Sequence, residues 1–363
     1  MMLPRIAIIG NGQLGRMLRQ AGAPMGIEVL PCDPGLDEPV ELNPGDVITV
    51  EQELWPDTPR SRQLTAHPGF LNARATQLIR DRLSEKSLLD HLKVGTAPWC
   101  NVTPDHTTEH LALVGDKLVI KRRQGGYDGR GQWRWKQGEP ALDEWLGECI
   151  AEKMIPFDEE VSLVGARGHD GKCVFYPLTL NLHQQGILHA SVGGLKRLQP
   201  LQAQAEEWLT RIMVELDYVG VMAMECFVVG NTLLVNELAP RVHNSGHWTQ
   251  AGANPSQFQL HLRAVADLPL FTPAVDGLSV MWNLLGRDWS TQWLAVPGCD
   301  VHWYEKEIRP GRKVGHVNLH RGAVADLQAS VSQLAALLPE DDRSPLLWAL
   351  NEIQADTAAQ SGS

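Results

Sequence analysis

Lys121-Arg-Arg-Gln-Gly125-Gly126-Tyr127-Asp128-Gly129-Arg130-Gly131 is the stretch on which the reading of the fold turns. Four glycines in seven positions let the backbone turn its N–H groups inward, and Lys121 and Arg130 add positive charge, a combination suited to covering phosphates. The stretch follows the apolar, strand-like run Lys117-Leu-Val-Ile120 and lacks the Gly-Lys-Ser/Thr that closes a P-loop. These residues alone leave two readings: a flexible lid over a nucleoside triphosphate, or a solvated hairpin tip, where glycine and charge are also common.

Glu225, in Met-Glu-Cys-Phe, and Glu237, in Asn236-Glu-Leu-Ala-Pro-Arg241, sit on two strand-like runs that flank Gly230-Asn231 as a hairpin. A two-residue loop pairs Glu225 with Asn236 and sends Glu237 to the other face. A three-residue loop, Gly230 to Thr232, puts the carboxylates opposite each other, and this is the arrangement expected. Side by side among Met, Cys, Val and Leu, they need a proton or a cation between them, and Mg²⁺, which takes oxygen ligands and bridges phosphates, fits. Two exposed acids on separate faces are the alternative. Arg241, His243, Asn244 and His247 follow at once, a run able to grip a small oxyanion. Further on, Lys306-Glu-Ile-Arg309-Pro-Gly-Arg312-Lys313-Val-Gly-His316 places cations around a Pro-Gly turn, suited to a phosphomonoester or to a solvated basic loop.

Around these segments the chain reads as two or three domains of a 363-residue α/β and α+β protein. A strand over Arg5 to Ile9, the turn Gly10-Asn-Gly12-Gln-Leu-Gly15 and a helix to about Gln20 form a β-turn-α unit. Strands over Ile27 to Leu30 and Asp46 to Val50 follow, the latter ending at Glu51 and Glu53. One helix spans Thr76 to about Leu92, and the first boundary falls near residue 95. The spans expected are 1–95, a Rossmann-like domain; 96–270, with a mobile lid over about 115–185; and 271–363, a small β-rich domain ending in helices. The last residues, Ala358 to Ser363, read as frayed.

A net charge of −11 disfavours nucleic acid or an anionic membrane as partner. No apolar run approaches the roughly 20 residues that span a bilayer. Cys32, Cys100, Cys149, Cys173, Cys226 and Cys299 lie far apart, with no Cys-x-x-Cys and no signal peptide, and read as reduced thiols of a cytoplasmic protein.

Taken in order, these elements resemble the ATP-grasp superfamily: a glycine-rich N-terminal domain, a lysine followed by a glycine lid, a hinge, and two carboxylates on paired strands. The more specific resemblance is to the 5-(carboxyamino)imidazole ribonucleotide synthase family. It rests on Gly10-Asn-Gly-Gln-Leu-Gly-Arg-Met-Leu, Gly125-Gly-Tyr-Asp-Gly-Arg-Gly, Asn236-Glu-Leu-Ala-Pro-Arg-Val-His-Asn-Ser-Gly-His and Arg309-Pro-Gly-Arg-Lys-Val-Gly-His, which span residues 10 to 316. The resemblance implies an ATP-grasp fold with a Rossmann-like pre-ATP-grasp domain.

It also implies that ATP is held by Arg82, Lys121, the lid Gly126, Tyr127, Asp128, Gly129, Arg130, Gly131 and Gln132, and Asn236 with Glu237. The hinge Glu152, Lys153, Met154 and Ile155 would take adenine, Glu160 the ribose, and His183 would lie near the phosphates. Glu225 and Glu237 would hold Mg²⁺. Arg241, His243 and Asn244 would hold bicarbonate or carboxyphosphate, while Gln13, Leu14, Glu51, Tyr127, Asp128, Arg130, Lys306 and Arg312 would face aminoimidazole ribonucleotide. A homodimer is implied as well. Glu51 and Glu53 stand in Val50-Glu-Gln-Glu-Leu-Trp, where many relatives carry an aromatic residue and a valine nearby. Which of the two acids faces the substrate stays open, with Glu51 favoured.

Three other readings compete. Gly10-x-Gly12-x-x-Gly15, with Asp33 about twenty residues on, is a dinucleotide fingerprint that by itself would suggest an NAD-dependent dehydrogenase. A formate-using glycinamide ribonucleotide transformylase shares the fold and a phosphoribosyl substrate. A nucleotide sensor without catalysis is the third, against which the retention of Lys121 and both glutamates speaks.

Overall fold

The structure, a computed structural model, describes residues 3–103, 108–126, 131–140 and 143–361. Strand β1 (Ile6–Ile9) is apolar and buried along its whole length, as a central parallel strand must be. It lies between β2 (Val29–Cys32) and β3 (Val47–Val50), both parallel to it. Alternate residues serve the two faces: Ile6 and Ile8 pack with Leu14, Met17 and Leu18 of α1 (Gln13–Gly22), while Ala7 and Ile9 pack with Leu64 of α2 (Pro59–Ala66).

Where the sequence reads as one helix from Thr76, two form: α3 (Ala73–Ile79) and α4 (Arg82–His91). Asp81 takes extended backbone angles, and its carboxylate accepts the Leu83 N–H at 2.9 Å, capping α4. A side chain that satisfies its own backbone in this way competes with helix continuation, which explains the break. The same carboxylate pairs with Arg123 at 2.6 Å, tying the cap to the start of the glycine stretch. Helix α4 turns Arg82, Glu85 and Lys86 inward beside Leu88 and Leu89.

Four strands, β4 (Trp99–Val102), β5 (Lys117–Arg122), β6 (Gln132–Lys136) and β7 (Cys149–Lys153), form an antiparallel sheet in the order β4-β7-β5-β6. It has a small core of its own, with Leu111 of α5 (Thr108–Val114) against Leu118, Ile120, Trp135 and Trp145.

Next come β8 (Glu159–Arg167), β9 (Cys173–Phe175), β10 (Thr179–Gln184), β11 (Ile187–Gly193), α6 (Gln199–Glu215), β12 (Gly220–Val229) and β13 (Thr232–Ala239). After α7 (Thr249–Gly252), the short pair β14 (Ala253–Asn254) and β15 (Ala274–Val275) brackets α8 (Gln257–Val265). Strands β16 (Ser279–Leu285), β17 (Cys299–Trp303) and β18 (Lys313–His320) complete a nine-stranded sheet ordered β13-β12-β8-β10-β11-β16-β18-β17, with β9 on β8. The C-terminal strands thus extend the central sheet rather than form a sheet of their own, and β8 to β10 hydrogen-bond into it rather than into the four-stranded sheet.

The hairpin β10–β11 escaped the sequence reading. Its turn is Gln185-Gly186, both with positive φ (54° and 78°), and its inward polar residues bond one another: Ser191 Oγ to Asn181 Oδ1 at 2.7 Å, and Asn181 Nδ2 to Ser162 Oγ at 3.0 Å. A buried polar network of this kind hides the apolar alternation that marks a strand.

One face of the large sheet meets α6, α9 (Val324–Ala336) and α10 (Ser344–Ser361) in a single apolar core, and the other meets α8 and the N-terminal unit. The expectation of a frayed end from Ala358 is corrected: α10 runs to Ser361. Buried Asp356 accepts the Arg197 N–H at 2.8 Å and Gln360 Nε2 at 2.7 Å, which anchors the last turns.

Two stability predictions follow from α4. Asp81→Ala removes the cap and should cost about 0.5–2 kcal/mol in urea unfolding; an unchanged midpoint would deny the cap its role. Burial pushes Glu85 up to about 7, against the pull of Lys86 and Arg82. An acid held above its unfolded value contributes stability at low pH, and that contribution is lost as pH rises through its folded value. The fall in Tm between about pH 4.5 and 7 should therefore be shallower in Glu85→Gln, and an equal slope in both proteins would count against it.

Candidate active site

The hairpin β12–β13 corrects the expected loop. Val229 pairs with Thr232, so the turn is the two-residue Gly230-Asn231, and a regular ladder would have set Glu225 against Asn236. A bulge between Glu225 and Cys226 absorbs Asn236 as an extra residue, and Glu225 faces Glu237 after all.

Cations and imidazoles surround the pair. Arg82 Nη1 lies 3.0 Å from Glu237 Oε2; His243 Nε2 lies 3.5 Å and His183 Nε2 4.0 Å from Glu225 Oε1; His183 Nδ1 lies 3.0 Å from Glu160 Oε2. Burial pushes Glu225 up to about 7, eased by His183 and reinforced by Glu237. Burial also raises Glu237, but Arg82 and Lys121 outweigh it and hold this carboxyl below its usual range. Burial disfavours the charged form of His183, yet Glu160 and Glu225 bring it up to about 9, whereas burial with Arg241 and Lys313 nearby keeps His243 neutral.

Two cavities meet at this hairpin. One, of about 600 Å³, lies between the four-stranded and nine-stranded sheets and is lined by Lys121, Gln132, Glu152, Lys153, Met154, Ile155, Glu160, His183, Glu225 and Asn236, residues expected at an ATP site. Phe157 and Phe227, stacked with centroids 4.5 Å apart, add an apolar wall. Lys121 Nζ contacts Glu152 Oε2 at 2.7 Å and Asn236 Oδ1 at 3.0 Å. Although burial raises Glu152, Lys121 and Lys86 draw it down to about 2, so its side chain is an internal counter-charge.

The second cavity, of about 530 Å³, is lined by Gln13, Leu14, Glu51, Glu53, Arg123, Gly126, Arg241, His247 and Tyr304. Arg82, Glu237, His243, Asn244 and Lys313 line both. Both amide atoms of Asn244 are buried there without a hydrogen-bond partner, as a ligand-binding amide would be.

Not every expected residue arrives as read. Glu51 lines the second cavity, but its carboxylate accepts the N–H groups of Gly12 and Gly15, and a Cβ at Gly10 (φ +130°) would come within 2.2 Å of Glu51 Cγ. The glycine turn is therefore a cradle for the chain's own carboxylate, which stands where a dinucleotide pyrophosphate would lie; the dehydrogenase reading fails on that point. Glu53 pairs with Arg241 at 2.8 Å. Lys306 contacts Gln13 Oε1, which lines the second cavity, and Arg312 donates to the Glu307 carbonyl at 3.2 Å; neither Lys306 nor Arg312 itself lines either cavity. Lys313, next to Arg312, lines both; the sequence reading counts it among the cations of the Pro-Gly turn but not among the residues facing the ribonucleotide. Arg312 lies in the turn before β18 and Lys313 is that strand's first residue, so no strand alternation marks the difference in the sequence. Gly131 closes the start of β6 by accepting the Arg122 N–H at 2.9 Å. Tyr127, Asp128, Gly129 and Arg130 lie outside the described residues.

The donor set suits a hard cation. Among the described residues no group of three or more His, Cys, Asp and Glu is placed to hold a metal ion, and the facing pair Glu225 and Glu237 supplies two carboxylates. That is the pattern for Mg²⁺ bound through one or two carboxylates and completed by phosphate oxygens and water.

Comparison with known proteins agrees with this architecture. Residues 87–258 match the ATP-grasp domain family, and residues 279–330 match the phosphoribosylaminoimidazole carboxylase C-terminal domain family. The chain is 53% identical over 356 residues to N5-carboxyaminoimidazole ribonucleotide synthase of Escherichia coli, covering 96% of this chain and 99% of that one. Identity to the Haemophilus influenzae enzyme of the same name is 50%, covering 97% and 98%. Among solved structures, the N5-carboxyaminoimidazole ribonucleotide synthetase of Thermus thermophilus superposes with a TM-score of 0.80 at 39% identity, covering 92% of this chain and 99% of that one. The Staphylococcus aureus N5-carboxyaminoimidazole synthetase complexed with ADP gives 0.78 at 29% identity, covering 91% and 97%. With half of its residues shared with relatives that it matches over nearly their whole length, the chain belongs to the N5-carboxyaminoimidazole ribonucleotide synthase family of ATP-grasp proteins.

Proposed function

We propose that this chain is an ATP-dependent carbon–nitrogen ligase of purine biosynthesis that carboxylates the amine of 5-aminoimidazole ribonucleotide. Bicarbonate takes the γ-phosphoryl group of ATP to give carboxyphosphate and ADP. The amine then bonds to the carboxyl carbon, the bond to the phosphate oxygen breaks, and phosphate leaves with the proton lost from the amine. The observation that carries this reading is the meeting of two cavities along Arg82, Glu237, His243, Asn244 and Lys313. Two large substrates can be held in separate pockets with an oxyanion between them, so a water-sensitive intermediate need travel no distance.

Lys121 and the protonated His183 face the polyphosphate, Met154 and Ile155 offer backbone to the adenine, and Glu160 meets the ribose. Glu225 and Glu237 would hold Mg²⁺, which when bound neutralises charge developing on the transferred phosphoryl group. Arg241, neutral His243 and the unpartnered amide of Asn244 orient bicarbonate. Gln13, Lys306 and Lys313 face the ribonucleotide, with Glu51 fixing the turn that presents Gln13. A cytoplasmic setting accords with six free thiols, and a homodimer is part of the same proposal, to be tested by sedimentation. No helix among the described residues is long and apolar enough to cross a membrane.

The decisive experiment is phosphate release from Mg-ATP and bicarbonate with and without aminoimidazole ribonucleotide. Strong stimulation is expected; equal rates would place the acceptor elsewhere. Glu237→Gln should lower kcat by about 100-fold or more while leaving the circular dichroism spectrum unchanged, and normal turnover would remove the metal site. Lys306→Ala should raise KM for the ribonucleotide by about 10-fold or more with kcat little altered, and an unchanged KM would take Lys306 out of the substrate pocket.

A further inference from the structure

Lys86 is fully buried on α4, a costly place for an ammonium unless every proton is used. All three are: Nζ donates to Thr96 Oγ1 at 2.7 Å, to the Asn236 carbonyl at 3.0 Å and to the Val235 carbonyl at 3.3 Å, with Glu152 Oε1 as counter-charge at 3.2 Å. In a regular strand consecutive carbonyls point to opposite edges, so one ammonium cannot reach both. Here they converge, because Asn236 is the extra residue of the bulge. Thr96 braces the same point, its hydroxyl donating to the Val235 carbonyl at 2.7 Å. Glu152 also holds Lys121, and Lys121 holds the Asn236 side chain, so the ring Lys86–Glu152–Lys121–Asn236 joins the hinge strand β7 of one sheet to the bulge in β13 of the other.

We propose that Lys86 is a positioning residue for the ligase reaction, its ammonium holding the bulge that sends Asn236 and Glu237 into the nucleotide cavity. The proposal rests on the ATP-dependent reading above. Without the ammonium, the Asn236 carbonyl loses its donor and the Val235 carbonyl keeps only the Thr96 hydroxyl, and the two-residue turn favours the regular ladder in which Glu225 faces Asn236 and Glu237 points to the opposite face. The loss is therefore directed at one carboxylate rather than spread over the core.

The test is Lys86→Met, of similar length and no charge, with ADP affinity measured by calorimetry in Mg²⁺ and in EDTA alongside steady-state turnover. Wild type should bind ADP more tightly with Mg²⁺; if it does not bind ADP at all, the ligase reading itself fails. The variant should keep its affinity in EDTA close to that of wild type while losing the Mg²⁺ enhancement and about 10–100-fold in kcat. A variant that keeps the full Mg²⁺ enhancement overturns the proposal. Should Lys86→Met not fold, Thr96→Val removes only one of the braces. A smaller loss of Mg²⁺ enhancement there supports the role, and an undiminished one refutes it.

Discussion

Charge buried at one β-bulge is the constraint on which the rest of this structure depends. Arg82, Lys86 and Lys121 converge on Glu85, Glu152 and Glu237 where three units of the chain meet: helix α4, the hinge strand β7 and the hairpin strand β13. Buried ion pairs of this kind add little net stability, because desolvation offsets most of their attraction. They do specify geometry. Each charge has few places where it can be satisfied, so the relative placement of the two sheets around the nucleotide cavity is held within narrow bounds.

The same logic governs the N-terminal turn. A glycine-rich turn leading into a helix offers backbone N–H groups to an anion, and in many folds a ligand supplies that anion. In this chain Glu51 supplies it, from the C-terminal end of β3. The Rossmann-like unit thereby gives up dinucleotide binding and becomes one wall of a cavity, presenting Gln13 beside Lys306. A topology shared with dehydrogenases is thus put to a different use by one carboxylate.

Around the facing glutamates, the electrostatics divide labour between neighbours of the same type. His183, beside Glu160 and Glu225, is held in its charged form on the wall of the larger cavity, while His243, near Arg241 and Lys313, stays neutral and can both donate and accept. Glu225 favours its proton and Glu237 does not. These opposed tendencies in adjacent groups suit a site that must gather several anions without being neutralised before they arrive.

Much was legible in the sequence. The order of the glycine stretch, the two glutamates, the Arg-His-Asn run and the Pro-Gly basic turn pointed to the ATP-grasp fold and to its carboxylase branch, because local chemistry at fixed spacing survives without knowledge of contacts. The sheet of β1 to β3 was legible too, since a buried parallel strand must be apolar throughout. Other features needed the folded chain. The β10–β11 hairpin depends on a buried polar network joining Ser162, Asn181 and Ser191 on three strands. Which of the adjacent cations Arg312 and Lys313 lines the cavities depends on how the turn before β18 is placed. The facing of Glu225 and Glu237 is the clearest case. Sequence determined that two carboxylates lie on paired strands; the tertiary structure decided that they meet, because only a bulge held by a lysine from another element overrides the register that a two-residue turn imposes.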